Sequence, residues 1–311
     1  MTRRDVAGAE GAGNPRGLAP AAFSVDVEDY FQAEALRSFC PRDKWDALED
    51  RTEGNTERLL DMLAARSCRG TFFVLGWTAS KHPDLIRRIA AAGHEIASHG
   101  FSHELVYNQT PDAFREDVRK ARRLLQDLSG QEIAGYRAPS YTIMTRTLWA
   151  FPILVEEGYR YDSSIFPIAR RRYGMPRAHR WPHVREVGEG RAIAEFPLPT
   201  VRIGRLNAPA SGGAYLRLLP FGFQRWALTR MLARKQPFVL TIHPWELDPG
   251  QPRFAVKPRT RWTHYHNLDR ARGRLDVLLS LARYRPIVEV LQGLALLEPR
   301  AGRPTSSVSP D

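Results

Sequence analysis

The sequence has little of several features that mark particular classes of protein. Its 311 residues include only two cysteines. The spacing of Cys40 and Cys68 matches no redox or zinc motif, so we expect buried or free thiols. No apolar run reaches the roughly 18 residues that a membrane-spanning helix requires. Residues 1–20 contain no apolar segment of the kind that signal peptides carry, which makes the cytoplasm the expected location.

Acidic residues are fewer than basic ones, and the resulting positive charge limits the classes of partner that are expected. The chain has 34 Asp and Glu against 46 Lys and Arg, a formal net charge of +12. A basic surface could attract nucleic acid, anionic lipid or an acidic glycan. Apart from Arg170, Arg171 and Arg172, the basic residues are scattered and accompany no nucleic-acid-binding motif. We therefore expect no nucleic-acid partner and interpret most of the charge as solvated surface.

Apolar runs alternate with amphipathic segments along the chain, which is typical of parallel βαβ units. The sequence predicts strands over 21–27, 69–75, 95–97, 133–136, 159–162, 193–196 and 238–242, and helices over 55–65, 83–92, 111–128, 145–157, 221–233 and 268–282. Pro152 predicts a kink or break in its helix. Residues 167–190 and 251–266 are predicted to be irregular, and 1–20 and 298–311 disordered. The expected fold is α/β, a single barrel-like domain over 21–297.

Polar residues capable of catalysis follow the predicted strands at their C-terminal ends, where α/β barrels place their active sites. They are Asp26, Glu28, Asp29, His99, His103, Arg137, Asp162 and His243. Three carboxylates at the end of a core strand are costly to bury and hard to explain by packing. Two histidines four residues apart are a weak signal alone, but in this position they predict ligands for a first-row metal.

Together these residues could hydrolyse an amide or an ester. Two histidines and one carboxylate can hold a metal and leave a position for water, whose pKa the metal lowers. A second carboxylate could act as general base and His243 as general acid. Arg137 could hold the base in place, and the backbone N–H after Pro139 could stabilise an oxyanion. Asp162 could pair with His243 and raise its pKa.

In their order along the chain, these residues resemble the motifs of the NodB-homology polysaccharide deacetylases, carbohydrate esterase family 4. The matching stretches are 24–29, 99–103, 137–139, 162–163 and 241–243. The resemblance implies a deformed (β/α) barrel that uses a divalent metal, commonly zinc, to remove acetyl groups from glycans. The roles that it implies are catalytic base for Asp26, orientation of that base for Arg137, general acid for His243, partner of the acid for Asp162, and metal ligands for His99 and His103. Because they lie beside these residues, Pro139, Ser140, Tyr141 and Trp245 are predicted to bind substrate.

The third metal ligand stays open at this stage. The family's adjacent pair of aspartates is replaced here by Asp26-Val27-Glu28-Asp29. On an extended strand Glu28 shares a face with Asp26, whereas a turn directly after Val27 would bring Asp29 in instead. Gly100 stands where the family has Ser or Thr, so one supporting hydrogen bond is expected to be missing. Zinc is the expected metal, although this ligand set would also accept cobalt or nickel.

Longer phrases at 25–31, 136–141, 162–167 and 243–249 resemble a narrower group, the deacetylases associated with the exosortase (PEP-CTERM) system. That group carries a C-terminal extension, here about 200–297. The resemblance implies an N-acetylated polysaccharide or lipid-linked oligosaccharide as substrate, in bacterial exopolysaccharide biosynthesis. Two alternatives remain: a non-catalytic carbohydrate-binding protein on the same barrel, and an amidohydrolase of the family acting on a small substrate. No oligomeric state is predicted. Trp245 and Tyr141 are expected either to stack on a sugar or to belong to the core, and His264 and His266 to be packing or surface residues.

Overall fold

A mostly parallel sheet of eight strands forms the centre of the molecule. The structure is a computed structural model that describes residues 21–299. The strands are β1 (Ala21–Val27), β2 (Thr71–Val74), β3 (Glu95–Ser98), β4 (Gly135–Tyr136), β5 (Tyr161–Asp162), β6 (His183–Gly188), β7 (Arg191–Glu195), β8 (Thr200–Ile203), β9 (Leu206–Pro209) and β10 (Phe238–Ile242). The order in the main sheet is β10-β1-β2-β3-β4-β5-β7-β6, and β8 and β9 form a separate antiparallel pair. Within the main sheet, only the β6–β7 pair is antiparallel.

Helices connect the strands and cover the sheet. They are α1 (Thr52–Ala64), α2 (Gly76–Lys81), α3 (Pro83–Ala91), α4 (Pro111–Ser129), α5 (Ala150–Glu156), α6 (Tyr215–Leu218), α7 (Phe221–Ala233), α8 (Pro258–Tyr265), α9 (Leu268–Leu279) and α10 (Ile287–Gly293). The longest, α4, begins where the Thr110 side chain accepts a hydrogen bond from the Ala113 N–H over 3.2 Å. It ends at Gly130, whose φ of 67° is the left-handed conformation that stops a helix. No helix within residues 21–299 is long and apolar enough to cross a membrane.

Strand β1 explains why the polar residues meet at one edge of the sheet. All seven of its residues are buried, as expected for a parallel strand with neighbours on both sides. Its Val25 pairs with Ile242 of β10 on one side and with Phe72 of β2 on the other. Since these strands run in the same direction, the chain segments that follow β1, β3, β4 and β10 leave the sheet at the same edge.

The predicted fold class is confirmed: the sheet curls into a deformed, incompletely closed (β/α) barrel. The prediction of free or buried thiols is also confirmed, since Cys40 and Cys68 are both buried and unbonded to each other. The disorder predicted for 1–20 and for the end of the chain falls outside the described residues, apart from 298 and 299. The single-domain assignment stays a prediction.

Three local predictions are wrong. The segment 167–190, predicted to be irregular, contains β6, which forms a hairpin with β7. The segment 251–266, also predicted to be irregular, contains α8. The helix predicted over 145–157 is instead a 3-10 turn at Thr145–Thr147 followed by α5 from Ala150, so Pro152 lies in the first turn of α5, where its missing N–H would have no helical acceptor.

Candidate metal and acid–base site

Glu28, His99 and His103 form a cluster that could hold a metal ion. Their ligand atoms lie within 4.8 Å of one another, and all three residues are buried. His99 Nε2 is 2.8 Å from Glu28 Oε1, and His103 Nε2 is 3.0 Å from the same oxygen. Glu28 follows β1 and the histidines follow β3, so the parallel order of the sheet brings them together.

The histidine orientation fits this donor set. His99 Nδ1 donates to the backbone carbonyl of Arg137 over 2.8 Å, so Nε2 is the nitrogen that faces Glu28 and is available to bind a metal. A two-histidine, one-carboxylate set is typical of catalytic zinc sites that keep a coordination position for water. Burial alone would raise the pKa of Glu28, but the facing His103, His243 and His99 hold it well below its usual range. The carboxylate is therefore ionised, as a metal ligand must be.

Asp29 does not join the cluster, which separates the two candidates for the third ligand. Its backbone is extended, with φ −98° and ψ 170°, so its side chain points away from that of Glu28. Asp29 Oδ1 accepts from Tyr30 N–H over 2.7 Å, and Oδ2 accepts from Arg51 N–H over 2.5 Å. Burial raises the pKa of Asp29 to about 6 despite these bonds. Asp29 therefore caps the turn that follows β1.

Asp26 is held by a fully buried arginine. Arg137 has no exposed side-chain surface, and its Nη1 donates to Asp26 Oδ1 over 2.5 Å. The same nitrogen donates to Ser24 Oγ at 2.9 Å, while Nε and Nη2 donate to the carbonyl and hydroxyl oxygens of Ser163 at 2.9 and 2.8 Å. Four acceptors on two chain segments therefore fix the guanidinium, which in turn fixes one oxygen of Asp26.

His243 lies on the other side of Asp26, with 13% of its side chain exposed. Its Nε2 is 3.7 Å from Asp26 Oδ2, and its Nδ1 is 3.2 Å from Glu246 Oε2. Burial alone would lower the pKa of His243, but the negative charges of Glu28, Glu246 and Asp26 outweigh it and raise the pKa to about 9. The ring is thus protonated at neutral pH, as a general acid requires.

The predicted partnership of Asp162 with His243 is wrong. Asp162 Oδ1 and Oδ2 accept from the hydroxyl and the N–H of Ser164 at 2.7 and 2.8 Å, and the carboxyl also faces Glu195 of β7. Burial raises the pKa of Asp162 and raises that of Glu195 well above its usual range. The sequence predicted a strand over 193–196 but not its pairing with β5, which places Glu195 opposite Asp162.

The predicted substrate-binding residues differ in how they are placed. Residues Pro139–Tyr141 form a tight turn after β4 in which Ser140 and Tyr141 have φ values of 51° and 56°. Side chains other than glycine seldom adopt this conformation, and such strain is concentrated at functional sites. Tyr141 Oη is buried and has no hydrogen-bond partner among residues 21–299. The Tyr141 ring lies 5.9 Å from the Arg137 guanidinium, so the hydroxyl belongs to the surroundings of the site.

Trp245 is a packing residue in the structure and has no open ring face for a sugar. Only 5% of it is exposed. Its ring stacks on His264 at 4.5 Å and on His243 at 5.5 Å, and the Arg217 guanidinium lies 5.1 Å from it. The packing interpretation of His264 is confirmed, since that side chain is buried and its Nε2 bonds to Gln251 Oε1.

Sequence reasoning missed the residue that shapes the histidine loop. Asp117 of α4 accepts hydrogen bonds from Phe101 N–H at 2.8 Å, from Ser102 N–H at 3.1 Å and from the Ser102 hydroxyl. A Cβ on Gly100 would lie 2.7 Å from Asp117 Oδ2, and the φ of Gly100 is 76°. Glycine is therefore required for the loop to close over this carboxylate.

The fold and the site define an α/β protein whose strand ends gather a candidate metal site, a carboxylate oriented by arginine and a protonated histidine. Residues 45–155 match the family model described as polysaccharide deacetylase, and residues 163–292 match one described as a domain of unknown function (DUF3473). The part of the chain that carries His99, His103 and Arg137 therefore matches the polysaccharide deacetylase family model.

Curated relatives match over a limited part of the chain. A peptidoglycan-N-acetylglucosamine deacetylase from Bacillus cereus is 34% identical over 96 residues, which are 30% of this chain and 35% of that protein. A chitooligosaccharide deacetylase from Rhizobium leguminosarum is 31% identical over 97 residues, 30% of this chain and 45% of that protein. The chain thus spans less than half the length of these relatives.

Solved structures match over nearly the whole chain. The crystal structure of a "putative polysaccharide deacetylase" from Mycobacterium smegmatis has a TM-score of 0.60 and 25% identity, and the match covers 91% of this chain and 93% of that one. The PuuE allantoinase structure also has a TM-score of 0.60, at 15% identity, with 94% of both chains covered. At that identity the second likeness shows only a shared fold.

Proposed function

We propose that the protein is a metal-dependent hydrolase that removes N-acetyl groups from a glycan. The observation that carries this proposal is that a matched base and acid flank one metal-ligand cluster. Asp26 lies between Arg137 and His243, and all three lie beside Glu28, His99 and His103. A non-catalytic carbohydrate-binding protein would have no use for an arginine-held carboxylate and a histidine facing each other.

Each residue has a step in the proposed amide hydrolysis. A divalent ion, when bound by Glu28, His99 and His103, would polarise the acetyl carbonyl and make water more acidic. Asp26 takes a proton from the water as its oxygen attacks the carbonyl carbon. The C–N bond then breaks, and its electron pair goes to the nitrogen, which takes a proton from His243. Acetate and a free amine leave, and the proton on Asp26 returns to solvent or to His243.

The surroundings of the site suit an acetyl group attached to a larger molecule. Asp26, Glu28 and His99 are at most 4% exposed, whereas His243 is the more open residue of the site. We propose that the acetyl group lies toward the buried base and that the amine lies near His243, the residue closer to the surface. The buried Tyr141 hydroxyl and the strained turn Pro139–Tyr141 are proposed to contact the acetyl group.

The glycan class is inferred from relatives and sequence phrases. The matched relatives from Bacillus cereus and Rhizobium leguminosarum are named for N-acetylated peptidoglycan and chitooligosaccharide substrates. The phrases at 25–31, 136–141 and 243–249 support a place in exopolysaccharide biosynthesis. Zinc is the proposed metal, because two histidines and a carboxylate form a typical zinc donor set.

The proposal predicts that the protein releases acetate from defined N-acetylglucosamine oligosaccharides and that His99→Ala abolishes the release. The variant loses a nitrogen ligand whose orientation the Arg137 carbonyl fixes. Enzymatic detection of acetate, with metal analysis of the same samples, measures both effects. His179→Ala is the matched control, since that ring packs on His183. An active His99→Ala protein without metal would contradict the proposal.

A further inference from the structure

Arg217 and Glu246 form a second buried ion pair beside the site. Both side chains are 0% exposed, and Arg217 Nε donates to Glu246 Oε1 over 2.8 Å. Arg217 lies on α6 and Glu246 in the turn Pro244–Leu247, within the segment 163–292 that matches the domain of unknown function. A buried ion pair is weak as a source of stability, because desolvation offsets the attraction between the charges. Stability alone therefore does not explain why this ion pair is buried beside the site.

The two oxygens of Glu246 divide their contacts between Arg217 and His243. Oε1 accepts from Arg217, while Oε2 lies 3.2 Å from both the backbone N–H and the ring Nδ1 of His243. Contact with both the backbone and the ring of one histidine limits rotation of its imidazole. Nδ1 donates to Glu246, so Nε2 is the nitrogen directed at Asp26.

Arg217 is itself held by several parts of the C-terminal segment. Its Nη1 donates to the backbone carbonyls of Thr263, His264 and His266 at 3.3, 2.7 and 3.1 Å. Its own carbonyl accepts from Asn267 at 2.9 Å and from Arg274 at 3.0 Å. The end of α8 therefore holds the guanidinium, while Asn267 and Arg274 hold the backbone of Arg217.

Two arginine–carboxylate pairs thus flank one histidine. Arg137 holds Asp26 on the Nε2 side of His243, and Arg217 holds Glu246 on the Nδ1 side. In each pair the arginine occupies one carboxylate oxygen and leaves the other facing the imidazole. The first pair comes from the deacetylase segment and its neighbouring strand, and the second from the C-terminal segment.

We infer that Glu246 is the carboxylate that orients His243 and that Arg217 is a positioning residue that holds Glu246. The C-terminal segment thereby completes the acid side of the site, the part that sequence reasoning had assigned to Asp162. The orientation of His243 follows from the structure alone, and only its catalytic consequence rests on the proposed function. The charged and titratable groups near His243 come from three parts of the molecule. Asp26 lies within β1 and Glu28 directly follows it, and Glu246 lies in the turn Pro244–Leu247. Arg217 and His264 pack against Trp245.

Nuclear magnetic resonance of histidine-labelled protein tests the inference without any substrate. In the protein as purified, with its metal content measured, the His243 ring should titrate about 1 to 3 pH units lower in Glu246→Gln than in wild type, because an adjacent hydrogen-bonded charge is lost. Glu246→Asp should recover part of the shift. Unchanged titration and ring nitrogen shifts of His243 in folded Glu246→Gln would overturn the inference.

A second variant covers the case in which Glu246→Gln fails to fold because the Arg217 charge is left unpaired. Arg217→Met combined with Glu246→Gln removes both charges together, which is far less costly than removing one. The double variant should show the same displacement of the His243 titration. Arg274→Gln is the matched control, because it loosens the backbone around Arg217 and leaves the ion pair intact. It should lower the melting temperature without moving the His243 titration, and a shift equal to that of the double variant would overturn the inference.

Acetate release separates this inference from the proposed function. If the wild type is active, Glu246→Gln should lower kcat about tenfold or more with little change in KM, and the alkaline limb of its pH profile should move to lower pH. That direction follows because the general acid must be protonated and its pKa has fallen. A wild type inactive on every acetylated glycan would contradict the proposed function, while the His243 titration would still decide the inference.

Discussion

Replacing Asp26 with asparagine is expected to lower kcat for acetate release by about 10²- to 10⁴-fold, the contribution typical of a general base. Asparagine can still accept a hydrogen bond from Arg137 but cannot take a proton from water. Metal content should remain that of the wild type, because Asp26 is not among the clustered ligand residues. Parallel assays of acetate and bound metal measure the two effects on one sample.

The stability of this variant must be measured, because Arg137 loses its charged partner. Breaking a buried ion pair from one side costs up to about 3–5 kcal/mol. Ser24→Ala is the matched control, since Ser24 Oγ accepts from the same Arg137 nitrogen at 2.9 Å without being a base. It should lose some stability and keep most of the activity. A folded Asp26→Asn protein that loses its metal would instead show that Asp26 is a ligand.

Exchanging Glu28 for glutamine is expected to abolish stoichiometric metal binding, and with it the activity. Glu28 Oε1 lies 2.8 and 3.0 Å from the Nε2 atoms of His99 and His103, and the uncharged amide is a much poorer ligand. Counting bound zinc per chain after dialysis gives the direct measurement.

The adjacent residue supplies the control for this exchange. Asp29→Asn removes the carboxylate next to Glu28 in the sequence. The Asp29 carboxylate contacts the N–H groups of Tyr30 and Arg51 and not the two histidines. The Asp29→Asn variant should bind one zinc ion per chain, as the wild type is expected to, and should differ from the wild type mainly in its stability. If Asp29→Asn lost the metal while Glu28→Gln kept it, the placement of the two carboxylates would be refuted.

The sequence predicted the candidate site residues at the C-terminal edge of the sheet better than the more distant residues that hold them in place. Asp26, His99, Arg137 and His243 each follow an apolar run, and parallel strands bring such positions together whatever the details of the loops. Because side chains alternate along a strand, the sequence alone predicted Glu28, which shares a face with Asp26, as one of two candidates for the third metal ligand. What could not be decided was whether the chain remained extended after Val27, which depends on the cap that Asp29 makes with Arg51.

The residues that hold the site in place were missed because they lie far from the residues they contact in the sequence and belong to no recognisable sequence pattern. Asp117 contacts the histidine loop from the middle of α4, and a helical aspartate is normally read as surface. Arg217 lies on a short helix, and its partner Glu246 is 29 residues further on. Asp162 was assigned to His243 because both lie at strand ends, whereas the parallel pairing of β7 with β5 brings Glu195 beside it instead.

Metal titration against activity tests the central claim most directly. The protein is stripped with a chelator and dialysed, zinc is added in steps, and acetate release from an N-acetylglucosamine oligosaccharide is measured with the bound zinc counted. The account predicts no release from the stripped protein and a linear rise that levels off at one zinc ion per chain. Full activity in the stripped protein, or no acetate from a protein holding one ion per chain, would contradict it.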